Sequence, residues 1–301
     1  MKQIVTWDRP MTSYLQKRFS QQLQAVCPWL DSEILTWTAF GREVEALRLG
    51  CGPNKVLLTA GHHANESITS LLLWRFLEDY CRCLLKNGQL YGFSCRKLFQ
   101  RSTVYLIPLV NPDGADLTAG MASDEELRQA RDLWASQPEI PFPRGWKANL
   151  QGVDLNLNYP ARWEQAAAIK RTLPGPRDYP GRYPLDQPET EALAAYTRRI
   201  CPDVMAAWHT QGGEIYAADP DGSLRAEELS RLMARVSGYV LADPPAESSN
   251  AGFRDWFLQE FSGAAFTIEA GRGENPLPLS GLPRLYEENL PLFALLLAKH
   301  S

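Results

Sequence analysis

The 301-residue chain has little that would mark it for a membrane, a nucleic acid or a disulfide-built scaffold. Its 31 Lys and Arg nearly balance 35 Asp and Glu, leaving a net charge of −4 with no basic stripe and no block of like charge. Without such a patch, nucleic acid and anionic membrane surfaces are not expected as partners. Long apolar runs are missing too. The most hydrophobic stretch, ITSLLLWRFLEDYC, is interrupted by Arg75, Glu78 and Asp79, which rules out a span. The N-terminal MKQIVTWDRPMTSYLQKRF carries no apolar core followed by a small-residue cleavage site. Six cysteines are few for this length, and Cys81 and Cys83 form C-x-C rather than C-x-x-C, so no cysteine zinc site is expected. With no export signal they read as reduced, largely buried thiols, and the expected compartment is the cytoplasm. Histidine is scarce, with four copies.

What is present suits a sizeable enzyme. Hydrophobic residues make up 45% of the chain, with nine Trp and eleven Phe to fill a core. No linker, repeat or low-complexity segment divides it, so residues 1–301 are expected to form one catalytic domain. Amphipathic spacing predicts a helix over 11–23, and residues 33–49 read as two strands turning at Gly41-Arg42. KVLLTA (55–60) and VYLIPLV (104–110) are short apolar runs of buried-strand type, the second closed by an Asn111-Pro112-Asp113-Gly114 turn signal. A long helix is expected over 67–85, ended by Asn87-Gly88. Further helices are expected at 189–199, 224–238, 253–261 and 284–299, with strands at 204–209, 214–217 and 264–269. Strands alternating with helices predict an α/β fold, a mixed and largely parallel twisted sheet covered on both faces. Residues 159–188, with six prolines and little periodicity, read as a long loop of the kind that serves a binding site.

Three titratable features stand at expected strand ends, where open α/β sheets bind ligands. His63-Ala64-Asn65-Glu66 follows KVLLTA, His209 ends VMAAWH, and Glu269 ends AAFTIE. An H-x-x-E spacing brings an imidazole and a carboxylate to one side of a turn, within reach of zinc at ~2.0–2.2 Å. His62 competes with His63, but only His63 has that spacing; His300, next to the C-terminus, reads as solvated. Two His and one Glu leave a fourth position open, which is the catalytic arrangement, and a free carboxylate beside it can serve as general base towards water. Each feature alone has a bland counterpart: a chance H-x-x-E, a hydrogen-bonded core histidine, a capping carboxylate. Their conjunction in a chain with four histidines carries the metal reading.

In this order the motifs resemble the zinc carboxypeptidase family, whose signature is H-x-x-E, a distant His, and a Glu near the C-terminus. The likeness runs from about Leu57 to Glu274, with NPDG at 111–114 as the family's structural turn and GVDLNLN at 152–158 as a segment lining its cleft. By that resemblance the cofactor is Zn2+, held by His63, Glu66 and His209. Asp154 would orient the imidazole of His63. Asn156 would bind substrate, and Lys147, with Arg144 as the alternative, would stabilise the oxyanion.

Departures from the digestive members point to another substrate. Leu157 stands where those enzymes hold an Arg for the C-terminal carboxylate, and Glu247 lies near the position of their mobile Tyr. Arg254 replaces an apolar pocket floor, which favours a substrate with an additional carboxylate. GVDLNLNYPA, HTQGGEIY, AGFRDWF and EAGRGENPLP resemble the branch that cleaves γ-D-glutamyl–diamino acid bonds, with Arg254 and Arg272 as binders of anionic groups. The implied partner is a small peptide, the stem of a muropeptide with diaminopimelate or Lys. The rival readings are a deacylase of the aspartoacylase or succinylglutamate desuccinylase kind and an inactive wall-peptide-binding module.

Overall fold

Residues 3–218, 224–245 and 250–299 are described by a computed structural model. The chain opens with α1 (Ser13–Gln24), a hairpin of β1 (Asp31–Trp37) and β2 (Glu43–Gly50), then β3 (Asn54–Ala60) and α2 (Ser67–Leu85). A small hairpin, β4 (Gln89–Leu90) and β5 (Phe93–Ser94), leads to α3 (Cys95–Arg101), β6 (Ser102–Ile107), α4 (Pro112–Thr118) and α5 (Asp124–Trp134). After α6 (Trp163–Ile169) come α7 (Pro188–Ile200), β7 (Val204–His209), β8 (Glu214–Ala218), α8 (Leu224–Ser237) and β9 (Val240–Leu241). The last elements are α9 (Phe253–Glu260), β10 (Ala264–Glu269) and α10 (Leu282–Lys299).

Eight strands form one mixed sheet in the order β1-β2-β6-β3-β7-β10-β8-β9. The middle four, β6, β3, β7 and β10, run parallel, and antiparallel β2 and β8 flank them. Side chains alternate between faces along a strand, and here the alternation sorts the core. Val56, Leu58, Val204, Ala206, Trp208, Phe266 and Ile268 face α2, α8 and α10, where Trp74 and Phe293 are fully buried. Leu57, Met205, Ala207 and Ala265 face α7 and α9, against Leu193, Tyr196, Phe253 and Trp256. Both faces are covered, as the alternating strand and helix pattern predicts.

The sequence expectation did not include α3, the short strands β4, β5 and β9, or α6 within the 159–188 stretch read as a loop, and three further features differ from it. Asn111-Pro112-Asp113-Gly114 does not turn the chain back but starts α4: Asn111 Oδ1 accepts from the Gly114 N–H at 2.9 Å and Pro112 occupies the first turn. Both are start signals, since proline's missing N–H costs nothing there. Helix α5 was not expected, although a reciprocal capping box of Ser123 and Glu126 opens it. The six cysteines are not all free. Cys83 and Cys95 are joined, because the β4–β5 hairpin folds α3 back onto the end of α2 and brings their Cα atoms to 6.0 Å. Cys27 and Cys81 are buried thiols, whereas Cys51 and Cys201 are exposed. No described helix is long and apolar enough to cross a membrane. Glu247 and His300 lie outside the described residues.

Candidate metal centre and cleft

The centre forms where β3, β7 and β10 end side by side. Ala60 pairs with Trp208, and Glu269 with His209, so the three parallel strands finish at one level. Beyond β3 the chain bends sharply at Gly61, whose φ is +66°, and a Cβ there would lie 2.6 Å from Ser70 Oγ. The bend admits glycine alone without strain. It turns His63 into the N-cap of a single helical turn, Ala64–Glu66, so that His63 and Glu66 share one side of it.

His63 Nδ1 lies 2.9 Å from Glu66 Oε1, His209 Nδ1 lies 3.1 Å from Glu66 Oε2, and the two Nδ1 atoms are 3.3 Å apart. All three side chains are buried. Donor atoms around a tetrahedral zinc stand roughly 3.3 Å from one another when each bond is ~2.0–2.1 Å. Two ring nitrogens and a carboxylate crowded on one point therefore fit a divalent cation between them, and they form a group able to hold a metal ion. The surroundings agree. His63 Nε2 faces Asp154 Oδ1 at 3.3 Å, which places the ring proton there and leaves the Nδ1 lone pair for a metal. The Thr210 N–H donates to Glu66 Oε2 at 3.2 Å and fixes that carboxylate.

Charge at the centre is set by burial and by these neighbours. Burial opposes a charged His63, but Glu66, and after it Asp154, outweigh both burial and Lys147 and raise its pKa to about 9. Burial likewise opposes ionised Asp154, yet Lys147 and His63 hold its carboxyl well below the usual range. Glu269 is pushed the other way, to about 8, by burial and then by the charge of Glu66. A carboxyl poised near neutrality beside a metal site has the properties of an acid–base group.

Lys147 Nζ stands 3.8 Å from Asp154 Oδ2, and Lys147, Arg144, Asn65 and Glu66 line one cleft of about 660 Å³. Asn111, from the fragment read as a turn, ties this wall to the metal loop: its Nδ2 donates to His62 O at 3.1 Å and to Ala148 O at 3.0 Å. Asn156 Oδ1 accepts from the Phe253 N–H at 3.1 Å, so that end of the amide caps α9. Arg254, in the first turn of α9, is largely buried; its Nη1 is 3.3 Å from Asp255 Oδ1 and its Nε has no partner among the described residues. Arg272 does not line the cleft at Glu66. It is exposed, lies over Gly213 and Tyr239, donates to Gly238 O at 3.2 Å, and borders a second cavity with Arg284 and Leu285.

Sequence reasoning gave no part to several residues. His62 is fully buried, bonded through Nε2 to Tyr159 OH at 3.2 Å and stacked on His209 at 5.6 Å between ring centres. Asn65, inside the H-x-x-E fragment, presents an unpartnered buried Oδ1 at the cleft, and Arg177 of the proline-rich loop borders the same cleft. Nothing in their spacing signalled either.

Two His and a Glu converging at the carboxyl ends of parallel strands, with a second carboxylate alongside, define a metallohydrolase. The chain belongs to the zinc carboxypeptidase family, which it matches over residues 17–291, and is a zinc metallopeptidase. It is 37% identical over 281 residues to gamma-D-glutamyl-L-diamino acid endopeptidase 1 of Lysinibacillus sphaericus, covering 91% of this chain and 68% of the relative. The fold is shared with bovine thrombin-activatable fibrinolysis inhibitor, at a TM-score of 0.75 and 18% identity over 98% of both chains. It is shared also with murein-tripeptide amidase MpaA from Escherichia coli O157, at 0.53 and 22% identity over 88% of this chain and 89% of that one.

Proposed function

We propose that the chain, as one catalytic domain over residues 1–301, hydrolyses the γ-D-glutamyl–diamino acid amide of peptidoglycan-derived peptides, with His63, Glu66 and His209 as zinc ligands. The observation that carries the substrate is the guanidinium of Arg254, largely buried and with an unpartnered Nε. A γ-linked D-Glu keeps its α-carboxylate free, and that carboxylate supplies the acceptors this group lacks. The relative's activity, at 37% identity, supports the same bond.

Zinc in this group supplies Lewis acidity to a scissile carbonyl and to a water molecule. Glu269, set beside His209 at the end of β10, takes up the water's proton and passes it to the departing amine. Lys147 stabilises the developing oxyanion. Its half-buried ammonium sits beside Asp154, which in turn contacts His63, whereas Arg144 is exposed on the same cleft. Asp154 holds His63, and Asn156 keeps its amide nitrogen for substrate while its oxygen caps α9. Action in the cytoplasm, on peptides released from the wall, belongs to this reading; four free thiols support it, and the Cys83–Cys95 pair would then be reduced as well.

The test is incubation of the zinc-loaded protein with L-Ala-γ-D-Glu-meso-diaminopimelate and with N-acyl amino acids. Release of diaminopimelate is expected; hydrolysis of the N-acyl amino acids alone would make the chain a deacylase, and no hydrolysis of either a binding module. Glu269→Gln should keep one zinc per chain while turnover falls by about 10²–10⁴. Full activity in that variant would remove Glu269 from the mechanism.

A further inference from the structure

The cleft beside Glu66 is lined by three cations, Lys147, Arg144 and Arg177, against Glu66 itself and Glu274. Of its cations, Lys147 is engaged with Asp154, but the side chain of Arg144 makes no ion pair or hydrogen bond among the described residues. Arg177 has one charged neighbour, Asp178, at 3.3 Å. Both line this cleft, and backbone hydrogen bonds tie their segments together. The N–H groups of Lys147 and Ala148 both donate to Pro176 O, at 2.9 and 3.0 Å, and fasten the proline-rich loop along the segment that carries Arg144. The Asp154 N–H donates to Tyr179 O at 2.8 Å and closes the same strap on its other side. At the inner end of the cleft Asn65 offers its buried, unpartnered Oδ1. A buried polar atom without a partner calls for an external one, and a side-chain amide matches a peptide group. Arg254 lies outside this lining.

We infer that Arg144 and Arg177 form a second anion-binding subsite, which takes a carboxylate or phosphate carried on the portion of the substrate lying along this cleft, with Asn65 hydrogen-bonding the peptide link between that anion and the scissile bond. This inference rests on the proposed peptidase reading. The substrate it describes carries negative charge at two places, one read by Arg254 and one by the Arg144–Arg177 pair. Two guanidinium groups suit the planar oxygens of either anion. Being partly exposed, they are also screened by salt.

The experiment compares three peptides ending in γ-D-Glu-meso-diaminopimelate: N-acetyl-alanyl, N-succinyl-alanyl, and N-acetyl-phosphoseryl. The succinyl or the phosphoseryl peptide, whichever source of the anion the subsite takes, should have a KM roughly tenfold below that of the acetyl peptide, with kcat little changed. In Arg144→Ala/Arg177→Ala this ratio should fall to about one, in the Glu double variant it should invert, and 0.5 M salt should shrink it in the wild type. Equal KM values for all three peptides, or a ratio that survives the double Ala variant, would overturn the subsite. If no peptide is cleaved, the peptidase reading fails, and the subsite is then judged by calorimetry with N-succinyl-alanine and N-acetyl-phosphoserine on the zinc-loaded chain. Binding that the double Ala variant loses supports the subsite, and no binding to the wild type sinks it.

Discussion

Two buried clusters of ionisable groups in this chain are closed in opposite ways. Around Arg42, the guanidinium reaches Asp116 at 2.6 Å, Glu126 at 2.6 Å and Asp113 at 3.0 Å; the Thr38 and Ser13 hydroxyls donate to the same Asp113 and Asp116 oxygens, and the Ser13 N–H donates to the other oxygen of Asp116. That cluster contains its own cation. At His63, Glu66 and His209, two ring nitrogens and a carboxylate meet with no Lys or Arg between them, and the groups nearby, Asp154 and Thr210, steer the donor atoms. The difference separates a structural ion network from a metal site better than burial or charge does: one is satisfied by the chain's own groups, and the other is incomplete until something divalent arrives.

The comparison is broken most directly by taking the metal away. A chelator, or His209→Ala, should abolish hydrolysis and lower the melting temperature. Zinc at a hundredfold over its dissociation constant is worth about 3 kcal/mol to the folded chain. Unchanged melting after verified zinc removal would mean that the centre adds no stability. Arg42→Ala attacks the other cluster. It strands three carboxylates, so about 3–5 kcal/mol of stability should be lost while zinc still binds at one per chain, read by denaturant unfolding and metal analysis.

A smaller effect, of opposite sign, sharpens the contrast between satisfied and unsatisfied charge. Glu189 is buried, its Oε2 has no partner, and burial raises its pKa to about 8. Its folded value stands above its unfolded one, so the folded state holds the extra proton between pH ~4.5 and ~8. The associated stability is present below that window and lost as pH rises through it. Glu189→Gln should therefore stabilise the chain by about 2 kcal/mol at pH 8.5 and by little at pH 4.5. Melting curves that shift equally at both values would contradict this.

Much of the frame was legible because short apolar runs have few ways to fold. Helix α2 spans Ser67–Leu85, and β7 and β10 end at His209 and Glu269, as their patterns predict. The metal residues were legible for the same reason, since a strand end fixes where its last side chain stands. The H-x-x-E spacing became informative only because the bend at Gly61 leads into a helical turn over Ala64–Glu66. The rest depends on contacts distant in sequence. No local pattern indicates that Pro176 receives two N–H groups from residues 147 and 148, that Arg272 leans on Tyr239, or that a hairpin returns Cys95 to Cys83. Helix α5 was readable in principle from Ser123 and Glu126, whereas nothing indicated that Asn156 spends its oxygen on α9.

The pairing of His209 with Glu269 across β7 and β10 has one more consequence. A ladder of backbone hydrogen bonds spaces the two residues by a single rung, about 4.8 Å, although residues 210–263 run between the two strands. Whatever those intervening residues become, the two groups arrive as the same neighbours. Lengthening or rewriting that excursion leaves this rung in place, while a one-residue slip inside either six-residue strand would turn His209 or Glu269 to the opposite face. Arg254, which binds substrate on the proposed reading, lies in that excursion, so one contact with substrate can drift while the two strand ends keep their places.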